Sequence, residues 1–388
     1  LLILHQIIHQ LAFIFYHQPC QHRQPHSFSI YELIAIAYRK DTGICEGVKG
    51  MSAATNTATT PPDYDLLIIG AGIAGLAAGR MAQRAGYSVM LIDKGRRVGG
   101  RVSTRRSDGF MFNHGAQYIT ARTDEFTEAL AAATSAGMAG NWQLDPAKNV
   151  VIGAPMMRAI PGFLADGLPI QQNRRIARIS RQADHVACID TEGEALRAGQ
   201  VICTAPAPQT ATLLASDFPA LAATAASAAY APCVTIMLGL ADDSHLPATP
   251  LHAPQHDIGW AMRETARPHA ASMRPALTIQ ASAEWSAAHI NDTDDTSIAQ
   301  LIDKYQLASG CSVGDILHAQ AHRWLYAKVT TAAAPDALIC QDNLAIAGDW
   351  LGGARVEHAF TSGIRAVQAL TKAASSHYGQ PAKSYLIN

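Results

Sequence analysis

The alternation of apolar and polar residues is most informative over residues 65–106. The apolar run Leu66–Ile69 predicts a buried parallel strand, because strands covered on both faces read as continuous hydrophobic stretches. A helix is predicted over Ile73–Ala85, and a second strand over Ser88–Ile92 ends in Asp93. Strand, helix and strand in this order predict a βαβ unit of an α/β domain.

Glycines between the first strand and the helix indicate that this unit binds a dinucleotide. They follow the order G-x-G-x-x-G, which permits a tight turn, a close approach to a pyrophosphate, and close packing of helix on strand. The helix start points free N–H groups at phosphates, and Asp93 can accept hydrogen bonds from ribose hydroxyls. The expected dinucleotide contacts here are Gly70, Gly72, Ile73, Ala74, Gly75 and Asp93.

A second glycine pair, Gly99 and Gly100, follows the acid and precedes Arg101. Such a pair favours FAD over NAD, because a flexible backbone here can wrap the pyrophosphate. Arg101 and Arg105 can then supply charge-assisted phosphate contacts, and Lys94 lies beside the same nucleotide. The alternative is a solvated basic turn.

Residues 110–120 alternate as a strand that would pass near the flavin ring. Its expected flavin contacts are His114, Gly115, Ala116 and Gln117, with Tyr118 packing against a ring. A structural, backbone-bonded role is an equal alternative for His114.

The remaining pattern predicts a second domain and a return to the first. A period-two meander near residues 171–208 ends in a strand at 200–204, with the main chain of Ile176 beside the adenine. The other predicted elements are helices over residues 123–137, 156–168, 213–230 and 293–309, and strands over 233–240 and 277–281.

The closing segment repeats a strand-turn-helix pattern. A strand over Leu344–Ala347 ends at Gly348 and Asp349, which is placed to bond a ribitol hydroxyl. The long helix that follows, through Val356 and Ala359, can direct its positive end at the flavin. No cysteine lies beside the next glycine pair, so noncovalent FAD is expected.

Aromatic residues gather between these segments. Trp285 and Trp324 are our candidates for residues that pack a flat substrate ring, although aromatics at strand spacing are as often core. Three nearby histidines, His245, His252 and His256, fit no compact zinc motif, and no metal is expected.

Composition narrows the class of protein. Hydrophobic residues make up 48% of the 388 residues, and 30 basic residues nearly balance 31 acidic ones. This balance gives no reason to expect nucleic acid or a membrane as a partner. Seven scattered cysteines without a C-x-x-C pattern favour free thiols in a reducing, cytoplasmic location.

The domain boundaries follow from these patterns. Residues 1–62 are expected to be a disordered or non-native extension, with the natural protein beginning at Met51. The FAD domain is expected to comprise residues 63–115, 160–215 and 335–375, the substrate domain residues 116–159 and 216–334, and a short tail residues 376–388. The predicted fold is a two-domain FAD-dependent oxidoreductase, with a Rossmann-type FAD domain and a mixed-sheet substrate domain.

Together, the two glycine motifs, Asp93 and Gly348-Asp349 resemble the flavin amine oxidase superfamily. The stretches HGAQYITAR (114–122), EWSAAH (284–289), HRWLYAKV (322–329) and AGDWLGGARVEHAFTSG (347–363) resemble its renalase-like branch. The sequence departs from that pattern at Asn113-His114, where an acidic and an apolar residue are expected.

The resemblance implies an FAD-dependent oxidase. Its substrates would be dihydropyridine isomers of NAD(P)H, oxidised to NAD(P)+ while O₂ is reduced to H₂O₂. Two alternatives stay open: an amine oxidase or desaturase of the same superfamily, which would act on an amine or another small molecule, and a flavin-binding protein without turnover.

Overall fold

The computed structural model describes residues 61–145, 147–270 and 273–378. The proposed start at Met51, almost all of the predicted extension and most of the predicted tail lie outside these ranges. Within them, no helix combines the length and the apolar character that crossing a bilayer requires.

The strands are β1 Tyr64–Ile69, β2 Val89–Ile92, β3 Arg105–Ser107, β4 Phe110–Phe112, β5 Ala139–Trp142, β6 Val150–Gly153, β7 Ile170–Gln171, β8 Ile176–Arg181, β9 Val186–Asp190, β10 Ala195–Cys203, β11 Ala229–Leu240, β12 Leu251–Ala253, β13 Ile258–Arg263, β14 Ala276–Ala281, β15 Ile316–Thr331, β16 Cys340–Gln341 and β17 Leu344–Ile346. The α-helices are α1 Ile73–Arg84, α2 Asp124–Ser135, α3 Ala159–Ala165, α4 Ala207–Leu214, α5 Pro219–Ala226, α6 Ala283–Ala288, α7 Asp294–Ser309 and α8 Val356–Tyr378.

The first sheet has the order β16-β17-β10-β1-β2-β7, with β9 and β8 attached beside β10. Its central strand β1 pairs in parallel with both β10 and β2. Leu66 and Ile68 face α1 and α8, whereas Leu67 and Ile69 face α4, α5 and the β8–β9 hairpin. Both faces are therefore covered, which explains the unbroken apolar run in the sequence.

The second sheet has the order β12-β13-β14-β11-β15. All its strand pairs are antiparallel, so it is not the mixed sheet that the sequence predicted. Helices α6 and α7 cover one face through Val234, Ile236 and Leu238. The opposite face carries Met237, which packs on the β3–β4 hairpin.

Two predicted elements differ from those in the structure. The strand predicted over residues 110–120 ends at Phe112, because the next residues bond to side chains of the second domain instead of a neighbouring strand. The helix predicted over residues 213–230 is broken before Pro219, which begins α5, and Tyr230 already belongs to β11. Proline lacks the N–H that a continuous helix requires.

Helices α1 and α8 pack against each other at a glycine. A Cβ on Gly363 would come within 2.1 Å of the carbonyl oxygen of Ala74. That carbonyl belongs to the first turn of α1, so the contact holds the C-terminal helix against the glycine loop.

Gly363→Ala is expected to lower the free energy of unfolding by about 2 kcal/mol, because a methyl group has no space at this contact. Urea unfolding of purified protein measures the loss. Gly162→Ala in α3 is the matched control, since a Cβ there meets nothing within 4 Å. Equal stability of the two variants would contradict the close helix packing.

Candidate functional site

The glycine loop after β1 has the geometry of a phosphate cradle. Gly70 has a φ of +105°, and a Cβ on Gly75 would come within 1.9 Å of the Gly70 carbonyl oxygen. A Cβ on Gly72, in contrast, meets nothing within 4 Å. Gly72 caps α1 without a side-chain hydrogen bond. Ile73 and Ala74 are buried in the first turn of α1, whose backbone amides are available to an anion.

Asp93 organises the same loop at the end of β2. Its carboxylate accepts hydrogen bonds from the backbone N–H groups of Ala71 and Gly95, each at 2.6 Å. The second glycine pair lies on the first loop, because the Gly99 N–H donates to the Ala71 carbonyl at 2.9 Å and a Cβ on Gly100 would lie 3.5 Å from the Gly72 Cα.

The Lys94 side chain points to the face of the first sheet that is covered by α4, opposite the face covered by α1. Its ammonium donates to Gln209 at 2.9 Å. Burial, followed by the charge of Arg175, lowers the pKa of Lys94.

Ile176 lies at the start of β8, opposite Asp190. A polar cavity of about 360 Å³, lined by Gln171 and Asp190 among others, lies next to this hairpin. Because the Asp93 N–H donates to the Gln171 carbonyl, the cavity adjoins the end of β2.

Arg101 and Asp349 form a two-point ion pair with distances of 2.8 and 2.6 Å. The sequence predicted separate partners for them, a phosphate for the guanidinium and a ribitol hydroxyl for the carboxylate. The guanidinium of Arg101 also lies 5.6 Å from the ring centre of Tyr230. Burial alone would lower the pKa of Arg101, but the Asp349 carboxylate outweighs it and raises that pKa.

Residues 113–117 form a loop around a buried carboxylate, Glu264. This carboxylate accepts from the backbone and side-chain amides of Asn113, both at 2.9 Å, and from the Thr278 hydroxyl at 2.6 Å. It also pairs with the Arg267 guanidinium at 2.8 Å. Glu264 is fully buried, so these three hydrogen bonds and the ion pair replace the water that the charge has lost.

Arg267 extends this network to Gln117. It donates to both the backbone and the side-chain oxygen of Gln117. The Gln117 amide donates to the carbonyls of Asn113 at 2.6 Å and Gly115 at 3.0 Å. The Ala116 N–H donates to the Arg101 carbonyl at 2.9 Å, which connects this loop to the second glycine pair. The predicted flavin-proximal residues 114–117 are therefore brought together by one buried ion pair.

The Asn113 side chain has four partners beyond its own loop, one of which is the Met156 sulfur at 3.8 Å. Its side-chain N–H donates to Glu264, whereas its side-chain oxygen accepts from the Met157 backbone at 2.9 Å and the Thr104 hydroxyl at 3.2 Å. The amide donates on one side and accepts on the other, which an ionised carboxylate in its place could not do. The Asn113 amide is therefore complementary to the acid at position 264.

Three rings lie together on the face of the second sheet that packs towards this loop. The Trp324 indole N–H donates to the His114 carbonyl at 2.8 Å, and the two rings stack with centres 5.2 Å apart. His322 lies edge-on to both, at 5.2 Å from His114 and 4.4 Å from Trp324. We call His114, His322 and Trp324 the ring cluster.

Both histidines of the ring cluster are neutral at pH 7. Burial, followed by the charge of His322, lowers the pKa of His114 to about 3. Burial, followed by the charge of Arg105, lowers the pKa of His322 to about 4. The cluster is therefore an uncharged aromatic surface.

Tyr118 and Trp285 do not join the ring cluster. Tyr118 is 38% exposed and lies 5.7 Å from the ring of Trp260, at the edge of the same sheet face. Trp285 is buried in α6 against the opposite face, where it stacks on His289 at 4.2 Å. Ser282 caps α6 immediately after β14 and so turns the chain across the far side of the sheet. We therefore leave Trp285 out of the proposed site.

The start of α8 carries a functional candidate that sequence reasoning missed. Val356 and Ala359 pack partly buried on the core beside α1. Between them, Glu357 accepts from the backbone N–H groups of Arg122 at 2.6 Å and Thr123 at 2.7 Å, and pairs with Arg355 at 2.9 Å. Burial alone would raise the pKa of Glu357, but these donors lower it to about 2.

The other missed residues are Glu264 and Arg267. They lie 3 residues apart, and their sequence signal was an acidic and a basic residue in a short segment between predicted strands. Within the described ranges, no group of three or more histidine, cysteine or acidic side chains is placed to hold a metal ion.

Comparison with known proteins agrees with this geometry. A family model of NAD(P)-binding Rossmann-like domains matches residues 68–133, and a model of flavin containing amine oxidoreductases matches residues 132–242. A Mycobacterium tuberculosis protein assigned as a flavin-containing monoamine oxidase is 39% identical over 85 residues, or 22% of this chain. All-trans-retinol 13,14-reductase from Danio rerio is 33% identical over 104 residues, or 26% of this chain. The chain covers only 18% and 17% of the length of these two relatives.

Solved structures resemble most of the described chain. A protein from Exiguobacterium sp. assigned as a protoporphyrinogen oxidase has a TM-score of 0.65 at 14% identity, covering 79% of this chain and 98% of that one. A fatty acid isomerase from P. acnes has a TM-score of 0.61 at 12% identity, covering 80% and 99%. At these identities the likeness concerns the fold, which is that of the two-domain FAD-dependent oxidoreductases.

The fold, the glycine cradle and the matched family models together define the class. Over residues 132–242 the chain is similar in sequence to the flavin-containing amine oxidase superfamily, and its fold is that of FAD-dependent oxidoreductases. The cofactor that this superfamily implies is FAD, and the residues present fit it. The uncapped start of α1 suits a pyrophosphate, the space above Gly72 admits a close approach, and Asp93 lies at the end of the second strand.

Asn113→Asp is expected to lower the free energy of unfolding by about 3 kcal/mol, because a second carboxylate would face buried Glu264 without its own counter-charge. Urea unfolding at pH 7 measures the loss. Asn141→Asp on exposed β5 is the matched control and should change little. Adding Glu264→Gln to Asn113→Asp should recover part of the loss; no recovery would argue against carboxylate repulsion.

Glu357→Gln is expected to cost about 2 kcal/mol at pH 7, because charge-assisted hydrogen bonds would be lost. The lowered pKa means that the ionised group stabilises the fold above its unfolded pKa, near 4.5, and that this stability disappears as the pH falls through about 2. Unfolding curves for wild type and variant should therefore converge between these pH values. A difference that is constant with pH would contradict the assignment.

Proposed function

We propose that the protein is an FAD-dependent oxidase of the renalase type, which oxidises dihydropyridine isomers of NAD(P)H to NAD(P)+ and reduces O₂ to H₂O₂. Noncovalently bound FAD would supply the hydride acceptor and the route to oxygen. The residues of this chain would bind the two planar ring systems, orient them and exclude water.

The observation that supports this proposal best is the ring cluster beside residues 114–117. Trp324 is fixed by its bond to the His114 carbonyl, so its indole face has a set orientation. Gln280 holds the next carbonyl, that of Gly115, at 2.8 Å. A dihydropyridine ring could pack on this aromatic surface next to the loop that carries the predicted flavin contacts.

The charge state of the site fits hydride transfer. Such a transfer from a dihydropyridine needs no side chain to remove a proton from the reacting carbon. The two histidines of the cluster are neutral at pH 7 because burial lowers the pKa of each. The one carboxylate in the network, Glu264, is engaged by three hydrogen bonds and the ion pair with Arg267.

An amine oxidase is the main competing function, and the matched family model favours it. Its amine substrate would pack against the ring cluster, either as a cation or in its neutral form. Arg105 lies 3.4 Å from His322, and a cationic amine would be repelled there. Desaturation of another small molecule and flavin binding without turnover are further alternatives.

Turnover of purified, FAD-loaded protein separates these functions. We expect H₂O₂ formation under air with 2- or 6-dihydro-NAD(P) and none with putrescine or a monoamine. The reverse result would establish the amine oxidase and refute our proposal. If no reductant bleaches the flavin under anaerobic conditions, the protein binds flavin without turnover. Acid precipitation should release the yellow colour if FAD is noncovalent.

Trp324→Leu is expected to lower kcat/KM for the dihydropyridine by about tenfold or more, because the stacking surface and the indole donor are both lost. Leu325→Ala, one residue further on β15 and 56% exposed, is the matched control. Flavin content should be unchanged in both variants. Equal activity of the two would remove Trp324 from the substrate site.

We also propose a cytoplasmic location. The cysteines at positions 188, 203, 233, 311 and 340 are free thiols, and burial raises the pKa of Cys233 to about 11. Fluorescent tagging and fractionation would test this location.

A further inference from the structure

Two arginines beside the ring cluster have no carboxylate partner. Arg105 lies on β3, and its guanidinium is 3.4 Å from Nδ1 of His322. Arg158 directly precedes α3; its backbone N–H donates to the Thr104 hydroxyl at 3.2 Å, and its guanidinium donates to the Thr104 carbonyl. Across the part of the chain that the structure describes, no ion pair involves either arginine. Both side chains are half-buried, so solvent and small molecules can reach them.

Their charges reinforce each other. Burial, followed by nearby arginines, lowers the pKa of both Arg105 and Arg158, and Arg105 is among the groups that act on Arg158. An arginine stays protonated in spite of such a shift. Asp294, the acid whose charge reaches His322, is already paired with Arg323. Among the described residues, no carboxylate pairs with the positive charge here.

The histidines of the ring cluster border the same place. His114 is 4% exposed, and its Nδ1 has no hydrogen-bond partner in the described structure. The charges of Arg105 and Arg158 both act on this ring. Buried polar atoms are nearly always satisfied, so an unpartnered nitrogen on a ring that the charges of two arginines without carboxylate partners reach indicates a ligand.

We propose that Arg105 and Arg158 form an anion subsite next to the ring cluster, which holds a phosphate or carboxylate group of the substrate. Guanidinium groups suit both anions because they donate two parallel hydrogen bonds. The subsite would fix one end of the substrate while its ring lies on the ring cluster. This deepens the proposed function and rests on it only for the identity of the molecule that carries the anion.

The cofactor is a less suitable ligand for these two arginines. A pyrophosphate already has the uncapped start of α1 and the two glycine pairs, where Asp93 and Gly99 bond to Ala71. Arg105 instead reaches the sheet that carries His322 and Trp324, since its guanidinium approaches His322. The pyrophosphate site and the proposed anion subsite are thus formed by different residues of the chain.

The test is direct binding of small anions to the FAD-loaded protein. Inorganic phosphate and acetate are titrated separately, and flavin absorbance and tryptophan fluorescence are followed. We expect saturable binding of at least one anion, weakened about tenfold or more in Arg105→Gln/Arg158→Gln because charge-assisted bonds are lost. Arg105→Lys/Arg158→Lys should retain part of the affinity. Arg178→Gln, at an exposed position of β8 in the first sheet, should bind like wild type.

Each arm of the experiment decides one question. Preference for phosphate indicates a nucleotide-like substrate, and preference for acetate indicates a carboxylate substrate. No binding by wild type, or unchanged binding by the double glutamine variant, overturns the subsite. A lower FAD affinity in that variant with unchanged anion binding assigns the arginines to the cofactor instead, and also overturns it.

Thermal unfolding checks that the double glutamine variant is folded, and Arg105→Gln alone provides a second measurement if it is not. Anion binding does not require turnover. If none of the dihydropyridines is oxidised but anions still bind, the proposed function fails while the subsite stands.

Discussion

The buried charge of Glu264 is the constraint on which the site depends. A carboxylate without water is stable only when several donors meet it. Here two hydrogen-bonding residues, Asn113 and Thr278, and the ion-pair partner Arg267 come from three separate parts of the chain. The requirement to satisfy one charge therefore fixes the loop that carries the predicted flavin contacts against the second sheet. Such a network specifies position more than it adds stability, because desolvation offsets much of the attraction.

The nucleotide-binding half of the site could be predicted because its causes are local. The run Leu66–Ile69, the spacing of three glycines and the acid at 93 lie within one βαβ unit, and the helix α1 begins at Ile73 as predicted. The loop at 113–117 could not be predicted, because its backbone amide binds a carboxylate 151 residues away. The local alternation of apolar and polar residues predicted that the strand continues. The strand instead ends at Phe112, because the Asn113 backbone binds the distant Glu264 carboxylate.

The two tryptophans illustrate a second limit of sequence. Trp285 and Trp324 both lie in segments that resemble the renalase-like branch, and nothing local distinguishes them. The register of β11 with β15 places Trp324 opposite Cys233, on the face that packs on the β3–β4 hairpin and the loop at 113–117. Trp285 lies on α6, which covers the opposite face of the same sheet, the face to which Val234 contributes. Which face a residue occupies is decided by pairing between strands that are far apart in sequence.

The amide of Asn113 also limits how this chain can diverge. It donates to Glu264 and accepts from Thr104 and Met157, so neither position 113 nor position 264 can change its charge alone. An acid at 113 is therefore expected to be tolerated only where the acid at 264 has been replaced as well. Two residues 151 positions apart are thus expected to change together.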